Sequence, residues 1–279
     1  MRATRRAGRF FLTLSAALLV AQQAQAQPAQ AQPAQEAFQP TVGQAGKDVV
    51  WVPTPAILVE KMLDMAKVTP QDFVMDLGSG DGRNIIAAAK RGARATGVEY
   101  NADMVALSRK TAAEAGVADK ATFVQGDMYE ADISKATVLA LFLLPHNLNK
   151  LTSKFLDLPP GTRIVGNTFA PDGWAADETE TVSGDCVSWC TSLLWIVPAK
   201  VEGAWKLPQG DLALKQTFQM VTGTLTSNGA ATEVSGRLRG DQITFKIGDA
   251  EYTGRVNGTS IEGSVKNGSN GGTWRAERK

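Results

Sequence analysis

The 279-residue sequence predicts a doubly wound α/β sheet followed by a small antiparallel all-β barrel or sandwich. Three observations predict it. From about residue 56 to 168, apolar runs of strand length alternate with helical stretches. The run Phe73 to Leu77 breaks into glycines at 78, 80 and 82 and resumes as Asn84 to Lys90, the strand, turn and helix that open a βαβ unit. Beyond Val201, short runs are separated by Ser227-Asn228-Gly229, Gly240-Asp241, Asn257-Gly258 and Asn267-Gly268, which are hairpin signals.

Taken in order, the chain begins with Arg2, Arg5, Arg6 and Arg9, the apolar run Phe10 to Val20, and Ala24-Gln25-Ala26. This is the pattern of a cleavable signal peptide over residues 1–26; the apolar run is too short to span a bilayer. The repeats Ala26-Gln27-Pro28-Ala29-Gln30 and Ala31-Gln32-Pro33-Ala34-Gln35 cannot bury a core, so 27–47 is expected to be a disordered linker. An α/β domain is expected over 48–200 and a β-domain over 201–279. Thr54 is expected to cap a helix that starts at Pro55, with Ile57, Leu58, Lys61, Met62 and Met65 on one face. Ala93 to Glu99 reads as a second strand, Asn101 caps a helix ending at Gly116, and Ala121 to Gln125 is a third strand. Ala136 to Leu144 reads as a strand buried on both faces, Asn147 to Leu158 as a helix and Thr162 to Thr168 as a fifth strand. Thr179 to Val182 and Thr191 to Val197 form a closing pair, and seven or eight short strands follow.

Composition excludes several function classes. There are 29 basic and 28 acidic residues, and removing residues 1–26 leaves 25 against 28. That balance gives no electrostatic footprint for nucleic acid or an anionic membrane surface. One histidine and two cysteines leave a structural zinc site short of ligands, so no metal is expected. In an exported protein Cys186 and Cys190 could form a disulfide, although one turn of helix is a poor geometry for it; both states stay open.

The glycine loop carries the chemistry. A dinucleotide-binding turn would read G-x-G-x-x-G, whereas this one reads G-x-G-x-G with Asp76 two residues ahead. A carboxylate there repels a pyrophosphate and attracts an ammonium or sulfonium. Glu99 ends the second strand 17 residues after Gly82, and Gly126-Asp127-Met128 ends the third. Three acids at successive strand ends would line one crevice at the sheet edge, where such folds bind ligands. In this order the pattern resembles class I S-adenosylmethionine-dependent methyltransferases, with a Rossmann-like sheet, over roughly residues 49–197. The resemblance implies S-adenosyl-L-methionine as cofactor and a binding set of Thr54, Asp76, Gly78, Ser79, Gly80, Gly82, Glu99, Tyr100, Asn101, Asp127 and Met128. Glu99 would hold the ribose hydroxyls and Asp127 the adenine amine.

Within that class, Val52 to Pro55, Leu77 to Arg83 and Gly97 to Asn101 resemble a group of small protein-lysine methyltransferases. The resemblance implies a lysine ε-amine as acceptor, with a small molecule as the alternative and a non-catalytic envelope binding protein as the non-enzymatic one. Methyl transfer is an in-line displacement that needs alignment and an unprotonated amine, so a histidine base is not obligatory. The sole histidine, His146, follows the fourth strand and is the candidate base, with an exposed loop residue as its ordinary reading. Arg83 would pair with Asp81 or reach the cofactor carboxylate, and the latter is favoured. Asp72 reads as a turn residue. Trp174, Trp189 and Trp195 would pack at the sheet end or line an acceptor pocket. The β-domain, whose ends resemble those of small lipocalin-type barrels, is a candidate partner-binding module. Export to the periplasm or beyond sets the protein apart from where the cofactor is made. Folded export, cofactor in the envelope, or a binding role would each reconcile the two.

Overall fold

The computed structural model describes residues 1, 3 and 38–279. The expected signal peptide and the first part of the linker, up to residue 37, fall outside that description apart from residues 1 and 3. Among the described residues no helix is long and apolar enough to cross a membrane.

The α/β part runs α1 (Ala56–Met65), β1 (Phe73–Leu77), α2 (Arg83–Lys90), β2 (Arg94–Glu99), α3 (Ala102–Glu114), β3 (Ala121–Gln125), β4 (Val138–Leu141), α4 (Pro145–Leu156), β5 (Arg163–Asn167), β6 (Glu178–Thr181) and β7 (Thr191–Ile196). The sheet order is β3-β2-β1-β4-β5-β7-β6. Strands β1 to β5 pair in parallel and β7 runs antiparallel to β5, so the expected doubly wound sheet with an antiparallel terminal hairpin is the observed one. The order reverses between β1 and β4, which opens a crevice beyond their carboxyl ends. Strands β1, β4 and β5 are nearly all buried because helices cover both faces, and their apolar runs lack alternation for that reason. The buried face of α1 is Leu58, Val59, Met62 and Leu63, shifted from the expected stripe, of which Ile57 is exposed.

Several local expectations are corrected. Helix α1 begins at Ala56, and Pro55, not Thr54, occupies the cap position with extended backbone. Thr54 is instead buried, its carbonyl accepting from Arg83 Nη1 at 2.7 Å. Helix α4 starts at Pro145, so Asn147 lies inside it rather than capping it. The chain takes up hydrogen-bonded structure before residue 48: Gly43 N–H donates to the Trp51 carbonyl and Trp51 N–H to the Gln44 carbonyl, both at 2.9 Å. Asp72 is no surface turn. It is 5% exposed, accepts from Thr69 N–H and the Thr137 hydroxyl at 2.8 Å each, and pairs with Arg163. It thus ties the start of β1 to β5.

Strands β8 (Gly203–Leu207), β9 (Gly210–Thr217), β10 (Met220–Ser227), β11 (Ala230–Arg239), β12 (Gln242–Ile247), β13 (Ala250–Asn257), β14 (Ser260–Asn267) and β15 (Asn270–Arg278) form a closed antiparallel barrel. Closure occurs where Arg278 and Glu277 of β15 pair with Trp205 and Lys206 of β8. The inward positions alternate along each strand and fill the interior with Trp205, Phe245, Tyr252, Trp274 and aliphatic residues. Phe245 stacks on Tyr252 at 5.0 Å, and Trp274 meets both edge-on. Such a filled interior departs from the ligand-holding lipocalin likeness.

Residues 38–279 form one compact unit. Arg237 of β11 pairs with Asp177, whose carboxylate is wholly buried, and Arg239 pairs with Glu178 of β6. Gln219 donates to the Ala175 carbonyl at 2.7 Å, and Phe218 stacks on Trp174 at 5.4 Å. The barrel therefore braces the segment between β5 and β6.

Candidate functional site

The cleft at the carboxyl ends of β1, β2 and β3 opens to solvent and is lined by Asp76, Glu99 and Asp127 together with the glycine loop. Gly78, Gly80 and Gly82 all have positive φ, at 76°, 54° and 79°, which L side chains rarely adopt. The loop is also closely pressed. A Cβ on Gly80 would stand 2.7 Å from the Trp51 indole nitrogen, and one on Gly82 would stand 2.6 Å from the Phe123 ring. Gly78 and Ser79 donate to the Val98 carbonyl, and the Ser108 hydroxyl donates to the Gly80 carbonyl. These bonds fix the turn on which α2 begins with Gly82 as its left-handed cap.

Asp76 is 3% exposed. Its Oδ2 accepts from Asn84 Nδ2 at 3.0 Å, while its Oδ1 is buried without a partner. Burial pushes the carboxyl up to about 8; the Asn84 hydrogen bond opposes this, and Glu99 and Asp81 add to it. A buried acceptor with no donor carries a desolvation penalty that a ligand cation would relieve. Ser79 Oγ and Asn84 Oδ1 are likewise buried without partners. This is the donor and acceptor set that an amino-acid-bearing ligand requires.

Glu99 is aimed by two backbone donors: Gly80 N–H reaches its Oε2 and Asn101 N–H its Oε1, both at 2.9 Å. Each oxygen keeps a lone pair for a diol. Asn101 caps α3 by accepting from Asp103 and Met104 N–H. Asp127 accepts from Tyr129 N–H at 2.9 Å and pairs with Lys47. Hydrogen bonds from Lys47 and Tyr129 hold its carboxyl below the usual carboxylate range. Lys47 also stands 5.1 Å from the centre of the Tyr100 ring. Met128 is buried beneath Gly78.

The expected site residues Thr54, Asp76, Gly78, Ser79, Gly80, Glu99, Tyr100, Asn101, Asp127 and Met128 thus share one cleft, and Gly82 supports it from below. Arg83 departs from expectation: it grips Asp81 and the Thr54 carbonyl, tying the loop to the chain before α1. His146 is exposed in the first turn of α4 and lies outside the cleft lining. Sequence reasoning missed Asn84, Ser108, Trp51 and Lys47. Asn84 was legible as a polar residue in an otherwise apolar helix start. Lys47 and Trp51 carried no signal, because their role depends on how residues 41–51 fold over the cleft.

The cleft reaches the end of β4. Phe142 lines the cleft there. It stacks against Phe169 at 6.1 Å and meets Trp189 at 6.1 Å and 58°. Trp174 and Trp195 turn inward as packing residues, with Trp195 Nε1 donating to the Trp174 carbonyl. Cys186 and Cys190 form a disulfide in the irregular loop between β6 and β7.

Residues 76–178 match the ANTKMT methyltransferase domain. The chain is 43% identical over 134 residues to a protein-lysine N-methyltransferase of Saccharolobus islandicus (strain REY15A), spanning 47% of this chain and 83% of that protein. It is 34% identical over 128 residues to the adenine nucleotide translocase lysine N-methyltransferase of Mus musculus, spanning 45% of this chain and 56% of that protein. It therefore spans only a little more than half of the mouse relative. Among solved structures, an RNA methyltransferase from Salinibacter ruber in complex with S-adenosyl-L-homocysteine is 46% identical. That match covers 54% of this chain and 96% of that one, with a TM-score of 0.50.

Proposed function

This chain belongs to the class I S-adenosylmethionine-dependent methyltransferases, and from that premise we propose that it methylates the ε-amine of a protein lysine outside the cytoplasm. The observation that carries the donor assignment is the convergence of Asp76, Glu99 and Asp127 on one cleft, with Asp76 Oδ1 buried and unpartnered. In this reading Asp76 holds the donor's ammonium, Glu99 its ribose hydroxyls and Asp127 its adenine amine. Gly78 and Gly80 let the backbone approach it closely. When bound, the donor would supply a methyl carbon made electrophilic by its sulfonium, to be taken by a neutral lysine amine with a thioether as the leaving group and the amine's surplus proton lost to water.

Lysine is supported by the two relatives named for that acceptor. An RNA acceptor would call for free cations along the rim. Among the described residues, the cations lining the cleft are Lys47 and Arg83, and both are paired, with Asp127 and Asp81. Export is supported by the arginine-led apolar N-terminus and by the disulfide, which suits an oxidising compartment.

The test is to incubate the purified protein with S-adenosylmethionine and envelope extract from cells lacking it, and to map methyl increments by peptide mass spectrometry. Increments on lysine are expected. Increments confined to RNA or to small molecules would overturn the acceptor, and fractionation that finds the protein only in the cytoplasm would overturn the location.

A further inference from the structure

We propose that Phe142, Phe169 and Trp189 form the subsite that receives the acceptor's cationic nitrogen, and that the disulfide-closed loop exists to place Trp189 there; this rests on the lysine reading above. Phe142 belongs to the cleft, so the cluster begins where the donor's reactive end must lie and extends outward to solvent. The three rings come from three different elements: the ends of β4 and β5 and the loop before β7. Their centroids stand 6.1 Å apart in both pairs that include Phe142, with one pair stacked and the other tilted by 58°. Phe142 and Phe169 lie nearly parallel, at 13°, and Trp189 is tilted across Phe142, so the exposed indole adds a π surface beside the cleft, the kind of surface that attracts an alkylammonium.

Trp189 is hard to explain as packing. It is 42% exposed, whereas Trp174 and Trp195 are each 2% exposed. Its backbone sits in the left-handed region at φ 54°, which is uncommon for a bulky residue and persists only where the surroundings impose it. The surroundings here are a five-residue ring closed by Cys186 and Cys190, pinned at its end by Val182 N–H donating to the Cys190 carbonyl at 2.9 Å. The loop's only charged residue is Asp185, so nothing in it repels a cation. On the opposite side, Thr168 N–H donates to the Thr191 carbonyl at 2.8 Å and fixes Phe169 relative to the same loop. The barrel stacks Phe218 on Trp174 and so holds the segment that follows Phe169. Both ends of the wall are thereby braced by structure that the donor cleft itself does not need.

The test uses a capped Ala-Ala-Lys-Ala-Ala peptide with a trimethylated lysine and its isostere in which carbon replaces the quaternary nitrogen. Both are titrated into the protein saturated with S-adenosylhomocysteine, so no turnover is involved. The cationic peptide is expected to bind about tenfold more tightly than the isostere. The preference should vanish in Trp189→Ala and return to within about threefold in Trp189→Phe, with S-adenosylhomocysteine affinity unchanged in both. Equal binding of the two peptides by the unmodified protein, which needs no variant, overturns the subsite, as does a preference that survives Trp189→Ala. If that happens while lysine methylation is seen in the extract, the subsite falls alone. A Trp189-dependent preference without lysine methylation supports the wall and overturns the acceptor reading instead.

Discussion

Donor binding should release a proton, because a carboxyl must be ionised to hold an ammonium. In the ligand-free protein the Asp76 carboxyl lies at about 8, raised first by burial. At pH 7 about nine-tenths of the molecules therefore carry a neutral Asp76. If the bound ammonium restores the ionised form, affinity for S-adenosylhomocysteine should weaken about 30-fold between pH 7.0 and 5.5, or about 2 kcal/mol. Over that range the ligand's own amine stays largely charged. Calorimetry at pH 7 in two buffers of different ionisation enthalpy should report close to one proton released. Asp76→Asn, which keeps shape and can still accept from Asn84, should flatten the profile. At pH 8 it should weaken binding by about 1.5–3 kcal/mol through a lost charged hydrogen bond. The sign for stability is opposite. A folded-state value above the ordinary carboxylate one means that the folded chain binds more protons than the unfolded chain. Ligand-free stability should then fall as pH rises from about 4 to about 8, and Asp76→Asn should melt higher than the parent at pH 8. Affinity independent of pH with no proton exchange, or an Asn variant that binds as the parent does, would refute the reasoning.

Other outcomes follow from the same geometry. Gly80→Ala puts a side chain at φ 54° and against the Trp51 indole, so it should cost more than about 1 kcal/mol of stability and weaken S-adenosylhomocysteine at least about tenfold. Parent-like calorimetry would contradict that. Asp72→Ala removes the buried carboxylate that joins β1 to Arg163 and Thr137, and should cost about 3 kcal/mol in urea unfolding; a loss under about 1 kcal/mol would mean the pair is replaceable. Because Asp72 is held below the usual range, its contribution is present at neutral pH and should disappear as pH falls below about 4. Replacing Cys186 and Cys190 together by serine should raise the acceptor KM several-fold and leave donor affinity as it was; equal damage to both would make the disulfide a general support.

The α/β sheet was legible because its strands are buried on both faces and its glycines sit where only positive φ will do. Gly78, Gly80 and Gly82 advertise their geometry in the sequence, and Glu99 and Asp127 are placed by simple distance from strand ends. The eight-stranded barrel was legible from its Asn-Gly and Gly-Asp turns, but its filled interior was not, because inward positions are known only once closure is known. Arg83 had two candidate partners in the sequence, and in the fold it holds Asp81, its neighbour two residues away, and the Thr54 carbonyl. His146 drew attention as a lone histidine, yet α4 begins earlier than Asn147 suggested and carries it outward. Residues 41–47 were taken for linker because low-complexity sequence runs up to them, whereas they hydrogen-bond to Trp51, which packs on a glycine loop some thirty residues away in sequence.

The central claim is that Asp76, Glu99 and Asp127 together grip one methyl donor. A crystal structure of the protein with S-adenosylhomocysteine tests it most directly. The ligand's amine should lie within hydrogen-bond distance of Asp76 Oδ1, its ribose on Glu99, and its adenine amine on Asp127 with Lys47 moved aside. A ligand bound elsewhere, or one whose amine avoids Asp76, would contradict the account.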